Sequence, residues 1–242
     1  MKAMLLAAGL GTRLKPFTDS KPKALAPVNG QSLLERNIRY LQRFGINDVV
    51  VNVHHFARQI IDTLKENDGF GSRYQISDEA DAVLETGGGL LHAAPFLQSE
   101  ACFLLMNVDM LSNIDLGKLI AYHQEHGLLA TLAVQQRDSS RQFLFDGKGR
   151  LAGWHNSVTG EYKPATVSRH LAAMAFSGIQ VVSGKIFEYI KFTGKFSLVD
   201  LYLDLCPTHG ILAYDHTGDV LLDVGKPESL ALAARLFANH EE

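Results

Sequence analysis

The chain has 242 residues, a formal net charge of −3 at neutral pH and two cysteines. This length is enough to bury a full hydrophobic core and favours one α/β domain over two. The acidic balance argues against nucleic acid as a partner, and two cysteines are too few for a disulfide framework.

The chain opens with an apolar stretch, a glycine-containing turn and a basic loop. Residues 3–8 are apolar and predict a buried strand, which runs directly into Gly9 and Gly11. Four cations follow within eleven residues: Arg13, Lys15, Lys21 and Lys23. Glycine leaves backbone N–H groups uncovered, and the cations attract phosphate oxygens. A basic loop in an acidic chain favours a small anion, so the segment predicts a polyphosphate site. An ordinary turn followed by a solvated loop is the alternative.

Two common phosphate-binding motifs do not fit this segment. The chain has no G-x-x-x-x-G-K-[ST], and Leu14 stands where a dinucleotide-binding turn has its third glycine. A P-loop or a dinucleotide site is therefore not expected.

The N-terminal stretch also bears on localisation. Only Lys2 precedes the six apolar residues, a stretch too short and wrongly flanked for a signal peptide or a membrane span. We therefore expect a cytoplasmic protein without a membrane partner.

Helix and strand patterns alternate through the first half of the chain. After the first strand, the patterns predict helices at 32–44 and 56–66 and strands at 48–53 and 102–107. Ser32-x-x-Glu35 fits a capping box, and Gly45 fits the end of that helix. The alternation predicts a doubly wound, mostly parallel sheet that binds ligands beyond the carboxyl ends of its strands.

The second half has a different pattern. Residues 142–145 and 150–154 flank a glycine-rich turn and predict a β-hairpin overhanging the ligand crevice. The remaining predicted elements are a strand at 171–182, helices near 184–191 and 198–205, strands at 210–214 and 219–224, and a last helix at 227–239. No linker interrupts them, so we expect a single domain over residues 1–242.

Two aspartates end apolar strands. Asp109 follows strand 102–107, and Asp223 follows Val220–Leu222. Magnesium in phosphate-transfer sites takes one or two protein carboxylates together with water and substrate phosphates, so a converging pair would suffice. Each aspartate is equally well explained as a turn or capping residue.

Glycines and histidines supply weaker signals. Residues 87–89 are three glycines near the start of a short predicted helix, which indicates close approach of another surface or a tight loop. His54 and His55 are adjacent, but neighbouring strand residues point to opposite faces, so we expect no metal site there. His123 and His126 are predicted to lie on helices among polar residues and to be solvated.

The basic loop resembles the sugar-1-phosphate nucleotidyltransferase family. The family pattern G-x-G-x-R-L-x-P-x-T-x-x-x-P-K is matched at eight positions: Gly9, Gly11, Arg13, Leu14, Pro16, Thr18, Pro22 and Lys23. The resemblance implies a Rossmann-like, GT-A-like α/β sheet, with a nucleotide-binding half at about 1–110 and a sugar-binding half at about 111–242. It also implies transfer of a nucleotidyl group from a nucleoside triphosphate to a sugar 1-phosphate.

The resemblance assigns roles to individual residues. The implied nucleotide-binding residues are Leu6, Ala8, Gly9, Gly11, Thr12, Arg13, Lys23, Asn52, Thr86, Gly87 and Gly88. Arg13 and Lys23 would be catalytic, and Asp109 and Asp223 would bind Mg²⁺. The implied sugar-binding residues are Asn107, Asn156, Gly178 and Asp200. Many relatives have a Glu-Lys-Pro motif where this chain has Glu161-Tyr-Lys-Pro164, so the cation that neutralises the sugar phosphate is open.

The opening residues look most like the small N-acetylmuramate-1-phosphate uridylyltransferases. Guanylyl transfer to mannose or heptose 1-phosphate, cytidylyl transfer to phosphocholine and a silent NDP-sugar-binding protein are the alternatives. No hexapeptide repeat is present, so we expect no β-helical acyltransferase domain, and the oligomeric state is open.

Overall fold

The computed structural model describes residues 1–79, 83–168 and 170–238. Its strands are β1 (Ala3–Leu6), β2 (Pro27–Val28), β3 (Gln31–Ser32), β4 (Asp48–Val53), β5 (Arg73–Asp78), β6 (Cys102–Asn107), β7 (Met110–Ser112), β8 (Ala130–Gln135), β9 (Arg141–Phe145), β10 (Leu151–Asn156), β11 (Glu161–Pro164), β12 (Ala172–Ser183), β13 (Ile211–Asp215) and β14 (Leu221–Asp223). Its α-helices are α1 (Leu33–Gln42), α2 (Ala57–Glu66), α3 (Glu85–His92), α4 (Ala94–Leu97), α5 (Leu116–His126), α6 (Ile186–Tyr189), α7 (Leu198–Leu205) and α8 (Pro227–Leu236).

A central sheet organises the molecule. Strands β5, β4, β1 and β6 lie side by side and are parallel, with Leu5 opposite both Val51 and Met106. Strand β12 adds antiparallel to β6, then branches to β9, β10 and β11 on one path and to β8 and β13 on the other. The predicted α/β sheet with a mixed subregion is confirmed.

Alternate residues of the central strands explain the two helical layers. Leu5 and Val51 pack in one apolar cluster with α1, α2 and α5, whereas Met4 and Val50 pack in another with α3, α4 and α7. Because successive strand residues point to opposite faces, an uninterrupted apolar strand requires cover on both.

The predicted hairpin is present as β9 and β10, which pair antiparallel and continue into β11. Strand β12 holds this subregion against the main sheet, pairing with β9 through Ala172–Met174 and with β6 through Ile179–Ser183. Between these stretches its register with β8 shifts, and Gly178 has a φ of +70° there. This bulge allows one strand to serve two parts of the sheet.

A separate two-stranded ribbon joins distant parts of the chain. Strand β7 follows Asp109 and pairs antiparallel with β14, so that Met110 lies opposite Asp223. The sequence predicted β14 but not β7.

Helix ends follow the sequence signals closely. The Ser32 side chain accepts a hydrogen bond of 3.0 Å from Glu35 N, and Gly45, with a φ of +73°, follows the end of α1. The Glu35 carboxylate pairs with Arg39 at 2.8 Å instead of completing the capping box. Helix α8 ends at Leu236, and position 239 of its prediction lies outside the described residues.

His123 corrects one expectation. Its side chain is buried, and its Nδ1 atom lies 2.9 Å from Thr131 Oγ1 on the neighbouring strand β8. Helix α5 turns this polar side chain toward the sheet, which residue composition alone did not indicate. None of the helices in the described part of the chain is both long and apolar enough to cross a bilayer.

Candidate active site

A cavity of about 210 Å³ lies at the carboxyl ends of β1, β4 and β6. The doubly wound sheet leads us to expect a ligand site at this edge. Eight residues assigned a role in the sequence analysis line it: Leu6, Ala8, Gly9, Lys23, Asn52, Thr86, Asn107 and Asp109. The backbone after β1 therefore forms one wall of the cavity, and Lys23 brings a positive charge to it.

Two cations and two carboxylates meet beside this cavity. The Lys23 ammonium group forms a short contact with Asp109 Oδ2, and Lys23 Nζ lies 3.7 Å from Asp223 Oδ1. Arg13 Nη2 lies 3.4 Å from Asp223 Oδ2. Asp109 and Asp223 therefore converge, as two ligands of one metal ion must.

The fold explains why residues so far apart in sequence converge. Pairing of β7 with β14 brings Asp109 beside Asp223, and Val224 N donates to Asp109 O at 2.9 Å. Beneath the charges, Leu14, Leu111 and Val224 share one buried apolar cluster. Each of these three residues is within two positions of a charged residue of the site, so apolar packing fixes the charged groups.

The basic loop is itself tightly packed. Gly11 has a φ of +63°, and a Cβ atom there would lie 2.9 Å from Thr18 Cγ2. Thr18 Oγ1 also donates to Gly11 O at 2.9 Å. Only glycine combines this backbone conformation with this space, so the loop carries its cations in a fixed shape.

The carboxylate pair fits magnesium. Asp109 and Asp223 already share one cation, the Lys23 ammonium group, and hard oxygen ligands are those that Mg²⁺ prefers. Within the described residues, no group of three or more His, Cys, Asp or Glu side chains is arranged to hold a metal. Substrate phosphates and water would therefore have to complete the coordination of an ion at this pair.

Asn52 and Glu79 form a buried polar pair behind the glycine turn. Asn52 Oδ1 accepts from Ala7 N at 2.6 Å, and Asn52 Nδ2 donates to Glu79 Oε1 at 2.6 Å. Glu79 Oε2 accepts from Leu84 N at 3.2 Å, and Glu79 also lines the cavity. Sequence patterns do not indicate Glu79, because the strand before it, β5, has mostly polar residues. A carboxylate just after a strand is nevertheless the same signal that identifies Asp109.

The three consecutive glycines pack against the protein itself. Gly87 N and Gly88 N donate to Phe196 O at 3.0 and 3.1 Å. A Cβ atom on Gly88 would lie 2.3 Å from Gly194 O, and one on Gly89 would lie 2.6 Å from Glu79 Oε1. Close internal packing accounts for these glycines, and nucleotide contact by Gly87 and Gly88 stays a prediction.

The predicted sugar-binding residues occupy three places. Gly178 lies beside Asn107, because a Cβ atom on it would be 2.9 Å from Asn107 Nδ2. Asp200 binds Lys163 Nζ at 2.8 Å, and Leu198 of the same helix donates to Thr86 Oγ1 in the cavity wall at 3.0 Å. Asn156 Oδ1 accepts from Val158 N at 3.0 Å, so its side chain stabilises the turn after β10. Only Asn107 lines the cavity, and the sugar-binding roles stay predictions.

Gly11, Thr12, Arg13, Gly87, Gly88 and Asp223 do not line the cavity, although Arg13 and Asp223 are joined to it through Lys23. A larger groove of about 610 Å³ lies elsewhere, between α1 and β7, and is lined by Arg36, Arg39 and Arg43 among others. It contains neither the glycine turn nor the paired aspartates, so we place the candidate site at the strand ends.

A cavity at strand carboxyl ends, bordered by a rigid basic loop and a carboxylate pair, defines a protein suited to hold a nucleotide polyphosphate. The chain belongs to the nucleotidyl transferase family, whose sequence model matches residues 2–144. Members of this family generally depend on a divalent metal ion.

Two curated relatives and one solved structure illustrate the similarity. N-acetylmuramate alpha-1-phosphate uridylyltransferase of Neisseria meningitidis serogroup B is 40% identical over 115 residues, which are 48% of this chain and 49% of the relative. Mannose-1-phosphate guanyltransferase of Kluyveromyces lactis is 30% identical over 244 residues, covering 99% of this chain and 65% of the relative. The match to the Neisseria protein thus spans about half of that protein's length.

The fold is shared over nearly the whole chain with a crystallised protein. HddC from Yersinia pseudotuberculosis, crystallised in complex with GMP-PN, superposes with a TM-score of 0.78 over 98% of this chain and 99% of its own. Sequence identity is 24%, so this likeness establishes the fold and nothing about the substrate.

Proposed function

We propose that the protein transfers a nucleotidyl group from a nucleoside triphosphate to a sugar 1-phosphate, releasing pyrophosphate and forming an NDP-sugar. The observation that carries the proposal is the contact of Lys23 with both Asp109 and Asp223 beside the strand-end cavity. Family membership supports the same reaction.

In this reaction an oxygen of the sugar phosphate attacks the α-phosphorus of the nucleotide in line. The nucleophile is already an anion near neutral pH, because the second pKa of a phosphate monoester is about 6, so no general base is required. Two unit charges about 4 Å apart repel by roughly 4 kcal/mol at an effective dielectric near 20. The protein's main task is therefore to offset repulsion between the two substrates.

The chain's own residues meet this demand. Lys23 and Arg13 would stabilise negative charge on the α-phosphate and on the departing pyrophosphate. Backbone groups of Ala8 and Gly9 would hold the nucleotide against the end of β1. Asp109 and Asp223 would hold Mg²⁺, which supplies further positive charge to the phosphates.

Uridylyl transfer to N-acetylmuramate 1-phosphate is the form of the reaction that we favour. The 40% identity to the Neisseria uridylyltransferase supports it. Guanylyl transfer to mannose 1-phosphate is the second candidate, because the Kluyveromyces relative aligns with 99% of the chain. A cytoplasmic location accompanies either form as part of the proposal.

A pyrophosphate-release assay tests the proposal. Purified protein with Mg²⁺ is given UTP, GTP, CTP or dTTP, each with N-acetylmuramate 1-phosphate, mannose 1-phosphate or phosphocholine. We expect release with UTP and N-acetylmuramate 1-phosphate together, and background release with either alone. Release with GTP and mannose 1-phosphate would select the second candidate. Nucleotide binding without release from any pair would refute the transferase and indicate a silent binding protein.

A further inference from the structure

The cation for the sugar phosphate is the open question in this site. Lys163, in the segment that departs from the family's Glu-Lys-Pro motif, is held by two carboxylates of its own protein. Its Nζ atom lies 2.8 Å from Asp200 Oδ1 and 3.4 Å from Glu161 Oε1, and the ammonium group sits 5.5 Å from the centre of the Trp154 ring. The Asp200 hydrogen bond, the largest of several causes, raises the pKa of Lys163. Its charge is thus already neutralised within the fold.

Arg137 lies in a different electrostatic setting. It follows the carboxyl end of β8, and among the described residues no carboxylate is within ion-pair distance of its guanidinium. The side chain is exposed, which a ligand-binding group must be. Neighbouring protein atoms nevertheless lower the guanidinium pKa by partial desolvation, and the Asp223 carboxylate acts in the opposite direction. The Asp223 carboxylate therefore acts on the Arg137 guanidinium without an ion pair between them.

Several hydrogen bonds hold the position of Arg137. Its backbone N–H donates to Gln135 O at 3.1 Å, and the N–H of Gln136 donates to Thr217 Oγ1 at 2.8 Å. Its Nη2 atom donates to Phe176 O at 3.0 Å. A guanidinium has five N–H donors in a fixed plane, so this contact orients the group and leaves further donors for a ligand.

The partner carbonyl belongs to the β12 bulge, which packs against a residue of the cavity wall. Phe176 is two residues before Gly178, which lies against Asn107 in the cavity wall. Between them, buried Ser177 pairs through its Oγ with His216 Nε2 at 2.7 Å, which fixes the bulge from inside. Arg137 is therefore held against the bulge that packs on Asn107 in the cavity wall.

We infer that Arg137 binds the phosphate of the incoming sugar 1-phosphate and positions it beside the nucleotide held at Lys23. This inference rests on the proposed nucleotidyl transfer. An anion near Arg137 would meet planar, charge-assisted donors, the arrangement that recognises phosphate most strongly.

Steady-state kinetics of Arg137→Gln test the inference. The substitution removes the charge and replaces the guanidinium with a shorter, neutral amide. Loss of a charge-assisted contact to substrate should raise KM for the sugar 1-phosphate about 10- to 100-fold. KM for the nucleotide and the thermal shift on adding nucleotide with Mg²⁺ should stay within about twofold of wild type, because the contact is made to the other substrate. Arg137→Lys keeps the charge, so its KM for the sugar 1-phosphate should lie between the values for wild type and for Arg137→Gln.

Arg150→Gln is the matched control. Arg150 is an exposed arginine of the same subregion, and its backbone forms a β-bridge to Leu212 near the amino end of β13. The substitution should leave both KM values unchanged. An unchanged KM for the sugar phosphate in Arg137→Gln, or an equal rise in both KM values, overturns the inference while wild-type turnover upholds the transferase. Failure of wild-type protein to release pyrophosphate with any substrate pair overturns both.

Discussion

Lys23 draws together carboxylates that come from positions 109 and 223 of the chain. Its side chain is only 11% exposed, whereas the Asp223 side chain is 44% exposed. The ammonium group thus lies on the protein side of the cluster, and the carboxylates are more exposed to solvent. Substitution of the lysine or of either aspartate should lower the reaction rate more than it lowers folding stability. The reason is that the apolar cluster of Leu14, Leu111 and Val224, which lies beneath the charged groups, is unchanged.

Asp109→Asn should lower the turnover number about 100- to 1,000-fold, the usual effect of losing one preorganised charge contact. The amide keeps the shape of the carboxylate but cannot offer its charge to a metal ion. Initial rates of pyrophosphate release measure the effect, with circular dichroism to check folding. Asp204→Asn, an exposed carboxylate on α7, is the control. Near-normal turnover in Asp109→Asn would remove this residue from the proposed metal site.

His123 makes folding stability depend on pH. Burial lowers the pKa of its imidazole from 6.5 to about 4, so the folded state holds the neutral ring. A histidine with a depressed folded pKa contributes stability that is complete above the unfolded pKa and is lost as pH falls from about 6.5 towards 4. At pH 5 this loss amounts to about 2 kcal/mol.

Urea unfolding at pH 7.5 and pH 5.0 measures this contribution. We expect wild type to lose about 2 kcal/mol more than His123→Gln between the two pH values, since the variant has no imidazole to protonate. His126→Gln, on an exposed position of the same helix, should behave as wild type. Equal losses in wild type and His123→Gln would show that the buried ring does not set the acid sensitivity.

Helix α3 can pack closely against the segment before α7 because its contact residues are glycines, which have no side chain. Alanine has a higher helix propensity than glycine by about 1 kcal/mol, so a glycine-rich helix is intrinsically weak. Tertiary packing decides the choice here, because Gly87 and Gly88 lie against Phe196 and Gly194.

Gly88→Ala should therefore destabilise the protein by about 1–3 kcal/mol despite the gain in helix propensity. The new Cβ atom would lie 2.3 Å from Gly194 O, a backbone atom that moves only with its loop. Chemical denaturation gives the change in free energy of unfolding. Gly147→Ala, where a Cβ atom would meet nothing within 4 Å, is the matched control. A Gly88→Ala variant as stable as this control would contradict close packing at α3.

Elements with a strong local signal were predicted, and those that depend on their partners were not. The parallel strands β1, β4 and β6 are continuous apolar runs, and α1 has its N-cap and its glycine stop in the sequence. Strand β5 is an edge strand with mostly polar residues, and β7 has three residues stabilised by pairing with β14. Helix α5 also has a local signal at each end, the Asp115 cap and Gly127, and the predicted helical position of His123 and His126 is confirmed.

The same distinction applies to the site. Lys23 and Asp109 were predicted because a spaced motif and a strand end identify them. Glu79 and Arg137 belong to no motif, and their positions follow from how β5 and β8 enter the sheet. Sequence patterns identify site residues that belong to a motif or follow a recognisable strand. A site residue that follows a strand without a clear pattern is identified only in the folded structure.

On the scale of the whole molecule, the sheet divides at the β6–β12 junction. Parallel strands and the glycine turn lie on one side, and a mostly antiparallel part, in which only β8 and β13 pair parallel among the described strands, lies on the other. The cavity takes residues from the carboxyl ends of β1, β4 and β6 and from the loops after β1, β5 and β6, and α3 closes it with Thr86. A ligand in this cavity would contact the ends of several strands and α3 together, so binding should stabilise the whole folded molecule.

UTP with Mg²⁺ should raise the melting temperature. A ligand at 100 times its dissociation constant stabilises the folded state by about 2.7 kcal/mol, which for a chain of this size corresponds to roughly 5–10 °C. A thermal-shift screen of UTP, GTP, CTP and dTTP, each with and without Mg²⁺, measures the effect. The shift should be largest for one base and should shrink without the metal ion. In Asp109→Asn the dependence on Mg²⁺ should disappear while part of the nucleotide shift remains, because the glycine turn is intact. Equal shifts with all four nucleotides, unaffected by Mg²⁺ or by Asp109→Asn, would contradict both base selection at the cavity and a metal ion at the aspartate pair.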